Sequence, residues 1–186
     1  MKKIFEEGHF SEYTRFNLSE ARGQIIRPNL YYSYASSHAE MRKTTVFISH
    51  KHDDLKDLQG LLGFLEKRYK VKVYIDSRDS SMPDITSDET AQRIKQRIKE
   101  CDKFILLATN AAIESKWCNW ELGFGDADKF DKNIALFPMK KKNSSDSSYK
   151  GHEYMSIYPC IEEDDEGIYY VRKKDGTLVS LETWLK

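Results

Sequence analysis

Short apolar runs typical of buried strands alternate with helical patterns over most of this chain. Residues 45–49 (Thr-Val-Phe-Ile-Ser) and 71–75 (Val-Lys-Val-Tyr-Ile) are rich in β-branched and aromatic side chains, which favour strands. Between them, five leucines recur at the spacing of one helix face from Leu55 to Leu65. Asp53 and Asp54 precede this helix and are suited to capping its first turn. These segments predict a β-α-β unit with parallel strands.

The same alternation continues along the chain after a polar loop at residues 76–84. The next predicted elements, in order, are a helix over residues 87–100, a strand over residues 104–108, a helix over residues 114–129 and a strand over residues 134–137. Pro138 is expected to end the last strand, because proline has no N–H to donate. Strands alternating with helices predict an α/β fold, with an open parallel sheet of about five strands and helices on both faces.

The two ends of the chain depart from this alternation. Residues 1–43 show no sustained period of a strand or a helix, so they are predicted to be an N-terminal extension of a domain that spans residues 44–186. The core elements of that domain fall within residues 44–139. Residues 140–153 are charged and rich in serine, which predicts a surface loop. Residues 154–186 are predicted to complete the domain.

The C-terminal part is predicted to add short strands and a helical turn. A strand is expected at residues 156–158. Residues 168–171 and 178–179 are expected to pair with each other across a turn at Gly176, which follows an aspartate as in many hairpin turns. Residues 181–185 are expected to form a final helical turn.

Net charge and cysteine content exclude several classes of protein. The 30 basic and 30 acidic residues cancel, so the chain has no overall field that would attract nucleic acid or an anionic membrane. Cys101, Cys118 and Cys160 are odd in number and far apart, unlike a disulfide framework or a paired zinc motif. No apolar run approaches the length that spans a membrane. We therefore expect a soluble cytoplasmic protein that binds neither nucleic acid nor membrane.

Three motifs follow the predicted strands in a fixed order. Residues 46–50 (Val-Phe-Ile-Ser-His) are a strand-and-loop motif with a Phe-Ile-Ser core, and residues 78–84 (Arg-Asp-Ser-Ser-Met-Pro-Asp) form an Arg-Asp loop. Residues 117–122 (Trp-Cys-Asn-Trp-Glu-Leu) combine a Trp-Cys-x-x-Glu-Leu run with a Trp-x-x-x-Glu pattern. Together they resemble the TIR (Toll/interleukin-1 receptor) domain family over residues 44–139, with Asp84 where that family usually has glycine.

This resemblance implies a fold, an activity and partners. TIR domains have a flavodoxin-like sheet, and their prokaryotic NAD+-cleaving members carry the Trp-x-x-x-Glu pattern, which implies that Glu121 is the catalytic carboxylate. Cleavage of the bond between nicotinamide and ribose would give ADP-ribose or a cyclic ADP-ribose isomer that signals to an effector. The compact chain is similar to the NAD-consuming TIR subunit of the Thoeris anti-phage system. Enzymes of this family usually self-associate to complete their sites.

The expected topology brings the motif residues together, because ligands of open parallel sheets bind outside the carboxyl ends of the strands, where strand order reverses. The side chains expected to contact NAD+ there are Ser49, His50, Lys51, His52, Asp76, Arg78 and Trp117. Lys51 and His52 are expected to face the pyrophosphate, and Trp117, one helical turn before Glu121, to line the pocket of that carboxylate. NAD+ is expected as the substrate, with no cofactor and no metal, because His50 and His52 lack further ligands at metal-site spacing.

Two other functions stay open on the sequence alone. A TIR domain without activity would act as a scaffold through homotypic contacts, and Glu121 would then be an ordinary exposed or ion-paired helix residue. A nucleoside deoxyribosyltransferase also uses an acidic residue on a flavodoxin-like sheet. Two neighbours of Glu121 have simpler interpretations in all three cases: Cys118 is expected to be a small buried residue rather than a nucleophile, and Trp120 to pack.

Overall fold

The computed structural model describes residues 1–14, 42–75, 88–129, 132–145 and 151–186. The predicted loop at residues 76–84, and with it Asp76 and Arg78, lies outside these residues. Within the described ranges, no helix combines the length and the apolar character needed to cross a membrane.

One sheet of eight strands forms the centre of the described chain. Its strands are β1 (Phe5–Glu6), β2 (Thr45–Ser49), β3 (Lys72–Tyr74), β4 (Lys103–Ala108), β5 (Ile134–Lys140), β6 (Cys160–Glu163), β7 (Tyr169–Arg172) and β8 (Leu178–Ser180). They lie in the order β3-β2-β4-β5-β6-β7-β8, and β1 lies beside β5. The strands from β3 to β6 pair in parallel, whereas β7 pairs antiparallel with both β6 and β8. The predicted parallel sheet in flavodoxin-like order is confirmed.

Helices cover both faces of this sheet, as predicted. They are α1 (Leu55–Tyr69), α2 (Asp88–Glu100), α3 (Asn110–Ile113), α4 (Lys116–Lys129) and α5 (Leu181–Trp184). Because successive side chains of a strand point to opposite faces, Val46 and Ile48 share an apolar cluster with α1 and α5, whereas Phe47 shares one with α2 and α4. The sheet therefore separates two apolar layers, and β2 contributes to both.

Residues 1–14 contribute to the first of these layers. β1 pairs in parallel with the last residues of β5. Phe5 and Phe10 are 0% and 2% exposed and pack against aromatic rings of the core. Gly60 of α1 makes room for this segment, since a Cβ at that position would lie 2.8 Å from the carbonyl oxygen of Phe10. The first residues of the chain are thus packed on the domain, while the division of the chain at residue 43 stays a prediction.

The expectation that Pro138 ends its strand is wrong. β5 continues through Pro138 to Lys140, with Pro138 opposite Ala108 of β4. Beyond the proline, Met139 and Lys140 pair with β1. The strand continues because β4 and β1 provide hydrogen-bonding partners before and after the proline. The sequence around Pro138 does not reveal these neighbouring strands.

The C-terminal part contains one wrong prediction and two confirmed ones. Residues 156–158 are not a strand: a 3₁₀ helix spans Glu153–Ile157, and the next strand is β6. Met155 is fully buried in the layer under α4, which anchors this turn. The predicted hairpin is confirmed by the pairing of β7 with β8, and its Gly176 has a φ of 85°. The final helical turn is α5.

Candidate active site

The carboxyl ends of β2 and β4 lie side by side, with Ser49 opposite Leu106. From β2 the chain passes to β3 on one side, whereas from β4 it passes to β5 on the other side. Strand order therefore reverses between β2 and β4, and this reversal is the switch point of the sheet. Open parallel sheets bind ligands at such a point.

Glu121 is buried at the switch point and is held there by a serine. Glu121 is 3% exposed and Ser49 is 1% exposed. The Ser49 hydroxyl Oγ donates a hydrogen bond to Glu121 Oε2 at 2.5 Å. Hydrogen bonds from a hydroxyl to an ionised carboxylate are short and strong, and they orient the acceptor. In surroundings of low dielectric constant, an oriented carboxylate acts strongly on positive charge that develops nearby.

Close packing of α4 on the sheet brings Glu121 to this position. The buried residues of α4 are Cys118, Glu121, Leu122, Gly125 and Lys129. A Cβ on Gly125 would lie 3.0 Å from the Phe104 ring atom Cδ2, so the glycine lets the helix approach β4 closely. The alternation along β2 places Ser49 on the same face as Phe47, which is the face that α4 covers. The sheet and the helix thus bring the two side chains together.

Cys118 lies beside this pair and has the properties of a buried thiol. Burial raises its pKa, and the negative charge of Glu121 acts in the same direction. Hydrogen bonds with Ser115 and Ser49 and the positive charge of Lys51 oppose this rise without outweighing it. The prediction that Cys118 is a small buried residue is confirmed, since it is 1% exposed. A raised pKa makes the thiolate, and hence nucleophilic chemistry, unfavourable.

The loop after β2 carries several charged and titratable side chains, and the charge of Lys51 acts on Cys118 of α4. His50 and Lys51 are half-buried, and His52 is exposed at the start of a 3₁₀ helix, His52–Asp54. Asp54 makes no side-chain capping bond to α1, contrary to its expected role. Instead, its carboxylate accepts a hydrogen bond from Thr109 at 2.6 Å.

Trp117 is half-buried one turn before Glu121 on α4. Its ring centroid lies 5.0 Å from that of Trp120, which in turn lies 6.3 Å from that of Phe124. Lys95 of α2 lies over the Trp120 ring at 5.8 Å. The expectation that Trp120 packs is confirmed, and Trp117 forms the end of this aromatic row nearest the start of α4.

The structure therefore brings together part of the predicted site. Ser49, Lys51 and Glu121 lie around Cys118, and Trp117 is on the same helix. The described residues contain no group of three or more His, Cys, Asp or Glu side chains arranged to hold a metal. Sequence reasoning missed the hydrogen bond between Ser49 and Glu121, although the alternation along β2 carried the signal. It also missed the bond between Thr109 and Asp54, for which no local signal exists.

Two surface cavities in the described structure lie away from the switch point. One of about 290 Å³ borders Lys2, His9 and Lys140, and one of about 540 Å³ borders Gly8 and Asp57. None of the candidate site residues lines either cavity. We therefore place the candidate site at Glu121. This carboxylate is buried and hydrogen-bonded, which is the kind of unusual environment that is common for carboxylates in active sites.

Comparison with known proteins shows which proteins this chain resembles. The sequence profile described as the TIR domain matches residues 46–168. A protein of Bacillus cereus (strain MSX-D12) named "Probable 3' cyclic ADP-D-ribose synthase ThsB'" is 31% identical over 162 residues, which are 86% of this chain and 76% of the relative. The crystal structure of a prokaryotic SEFIR domain superposes with a TM-score of 0.46 at 15% identity, covering 67% of this chain and 84% of the other.

Proposed function

The chain belongs to the TIR domain family, and from this premise we propose that it cleaves NAD+ between nicotinamide and ribose. The observation that carries the proposal is the buried Glu121 carboxylate, held by the Ser49 hydroxyl at the switch point. A solvated helix residue of a scaffold needs neither the burial nor the hydrogen bond. The relative from Bacillus cereus, named as a probable cyclic ADP-D-ribose synthase, supports the same activity.

The chemistry of NAD+ suits a single carboxylate. The nicotinamide ring is already cationic when it is bound to ribose, so it leaves as a neutral molecule and no general acid is needed. Its departure leaves positive charge on the ribose carbon in an oxocarbenium-like transition state. Glu121 stabilises this charge, and its burial strengthens the interaction because water is excluded.

The second step determines the product. Either water or a ribose hydroxyl of the ADP half attacks the positively charged carbon, and its proton passes to the Glu121 carboxylate and then to solvent. The water reaction yields ADP-ribose, nicotinamide and a proton, and the hydroxyl reaction yields a cyclic ADP-ribose isomer, nicotinamide and a proton. We propose the cyclic product, which is the one in the name of the relative.

Basic side chains of the loop after β2 bind the rest of the substrate in this proposal. Lys51, half-buried beside α4, faces the pyrophosphate together with His50 and His52. Trp117 lines the pocket one turn before the carboxylate. Asp76 and Arg78 keep their proposed roles in binding NAD+ as predictions of the sequence. NAD+ is the substrate, and the reaction as written needs no cofactor or metal.

The proposal extends to partners. We expect copies of the chain to self-associate, as TIR domains commonly do, and the product to act on a downstream effector in anti-phage defence in the cytoplasm. Neither nucleic acid nor a membrane is a partner in this scheme.

The proposal is tested by replacing Glu121 with glutamine, which keeps the size and removes the charge. We expect Glu121→Gln to reduce NAD+ loss by about 10²–10³-fold, the effect of removing one preorganised electrostatic group. Glu182→Gln is the matched control, because this glutamate side chain is 66% exposed on α5. Both variants are assayed at high protein concentration, and mass spectrometry identifies the product.

Three outcomes would overturn the proposal. Cleavage that survives in Glu121→Gln removes the catalytic assignment. If the unaltered protein cleaves no NAD+ at any concentration but does self-associate, the scaffold function is favoured instead. Cleavage of deoxynucleosides but not NAD+ selects a deoxyribosyltransferase. Recovery of linear ADP-ribose alone would refute only the cyclic product.

A further inference from the structure

A hydrogen bond across the carboxyl edge of the sheet connects its two helical layers. Thr109 follows β4 directly, and Asp54 directly precedes α1. Both are partly buried, and the Thr109 hydroxyl Oγ1 donates to Asp54 Oδ2 at 2.6 Å. Because α1 covers one face and α4 the other, this bond spans the switch point from one layer to the other.

The same hydroxyl is coupled to the helix that carries Glu121. Thr109 Oγ1 also accepts from the backbone N–H of Ala112 at 3.0 Å and so caps α3. The Asn119 side chain, in the first turns of α4, donates through Nδ2 to the carbonyl oxygen of Ile113 in α3 at 2.8 Å. A shift of Thr109 would therefore move α3 and, through it, the start of α4.

Asp54 is coupled in the same way to the loop that carries Lys51. Its backbone N–H donates to the carbonyl oxygen of Lys51 at 2.8 Å. The Lys51 charge acts on the Cys118 thiol, so this loop lies close to α4. The hydrogen bond from Ser49 to Glu121 is a second connection between β2 and α4.

We propose that the bond between Thr109 and Asp54 is a positioning link, which sets the distance between Lys51 and the helix carrying Glu121. This inference rests on the proposed function. Lys51 contacts the pyrophosphate in the ground state and the transition state alike, whereas Glu121 acts on charge that appears only in the transition state. Because Ser49 still holds Glu121 when the link is lost, the change should appear in KM for NAD+ more than in kcat.

The test compares Thr109 with Thr45, which has the same pattern of hydrogen bonds. Thr109 lies at the carboxyl ends of the strands and Thr45 at their amino ends. Thr45 Oγ1 donates to Asp102 Oδ2 at 2.8 Å and accepts from the backbone N–H of Asp102 at 3.0 Å. Thr109→Val and Thr45→Val each remove such a hydroxyl without changing the shape of the side chain. Thr109→Ser restores the hydroxyl at the link.

Steady-state kinetics on NAD+ with the full chain test the positioning role. We expect Thr109→Val to raise KM by about 10-fold while kcat stays within about threefold, in line with the loss of a hydrogen bond to a charged group. Thr45→Val and Thr109→Ser should keep the KM of the unaltered protein. An unchanged KM in Thr109→Val, or an equal rise in Thr45→Val, overturns the link while leaving the proposed function intact.

A second measurement does not depend on activity. Cys118 is 1% exposed beside the switch point, and Cys101 is 6% exposed next to Asp102. We expect native-state alkylation by iodoacetamide, located by mass spectrometry, to accelerate several-fold at Cys118 in Thr109→Val and at Cys101 in Thr45→Val, because each loses its own local hydrogen bond. If Cys118 reacts at the same rate in Thr109→Val and the unaltered protein, the link is refuted even when no NAD+ cleavage is found.

Discussion

The hydroxyl of Ser49 is the smallest feature on which the proposed chemistry depends. Glu121 is buried on a helix that packs on the sheet, and a buried carboxylate needs hydrogen bonds to offset the loss of water. Ser49 provides such a bond from the last position of β2. It acts as a positioning residue for Glu121, so its effect on activity should exceed its effect on stability.

Replacing Ser49 tests this idea. We expect Ser49→Ala to lower kcat/KM for NAD+ by about 10–100-fold, the range for a hydrogen bond to a charged group. Ser180→Ala is the control, because the Ser180 hydroxyl caps α5 by accepting from the Thr183 N–H at 3.1 Å. That control should lose about 1 kcal/mol of stability and no activity. Equal activity in the two variants would contradict the role of Ser49.

At the scale of elements, glycines mark where helices approach other parts of the chain. α1 carries Gly60 and Gly63 against residues 1–14, and α4 carries Gly125 against Phe104. Gly123 is different, because a Cβ there would meet no atom within 4 Å. The two helices thus use glycine where another part of the chain packs closely against them, whereas Gly123 has no such neighbour.

Substitution by alanine should separate these cases. In Gly63→Ala the new Cβ would collide with the carbonyl oxygen of Tyr13, and we expect a loss of about 1–3 kcal/mol of unfolding free energy. Gly123→Ala should gain up to about 1 kcal/mol, because alanine favours a helix over glycine. Urea denaturation measures both. A gain in Gly63→Ala equal to that in Gly123→Ala would show that residues 1–14 do not pack on α1 in solution.

Hydrogen bonds between Thr45 and Asp102 connect the amino ends of β2 and β4, and the stability that they provide should be sensitive to acid. Burial alone raises the pKa of Asp102, but hydrogen bonds from the backbone N–H and hydroxyl of Thr45, with the charge of Arg42, bring it below its ordinary value of 3.8. A carboxyl whose pKa is lowered by folding stabilises the fold above its ordinary pKa, and this contribution is lost as the pH falls through the folded-state value.

The pH dependence of stability tests this. We expect Asp102→Asn to be less stable than the unaltered protein at neutral pH, and the difference in unfolding free energy to shrink as the pH falls below 3.8. Urea denaturation at a series of pH values measures the difference. A difference that does not change with pH would show that the Asp102 charge contributes nothing to the free energy of unfolding.

At the scale of the whole molecule, the start of the chain completes the core. The Phe5 ring lies 4.8 Å from that of Phe137 and 5.9 Å from that of Tyr169, measured between centroids. Its backbone extends the sheet beside β5. Two strands distant in sequence, β1 and β6, therefore share one side of β5.

Truncating Phe5 measures how much this contributes. We expect Phe5→Ala to cost about 3–5 kcal/mol of unfolding free energy, as for other fully buried phenylalanines. Ile168→Ala is the control: Ile168 is 40% exposed, and its truncation should cost less than about 1 kcal/mol. Similar stabilities for the two variants would indicate that residues 1–14 are a dispensable extension.

The sequence by itself determined the α/β class, the parallel sheet and the hairpin of β7 and β8, because hydrophobic periodicity and turn residues are local properties. It also led to the prediction that Glu121 is the catalytic residue, through a motif on one helix. Local signals failed where partners came from elsewhere: Pro138 lies inside a strand because β1 and β4 pair around it. Residues 156–158 are not a strand because Met155 is buried under α4.

Only the tertiary structure decided which side chains meet at the switch point. Ser49 and Glu121 are 72 positions apart, and Asp54 and Thr109 are 55 apart. These contacts follow from strand order, from the face to which each side chain points and from the closeness of helix packing. No window of sequence contains that information, because hydrogen bonds over such separations form only when the whole sheet is assembled.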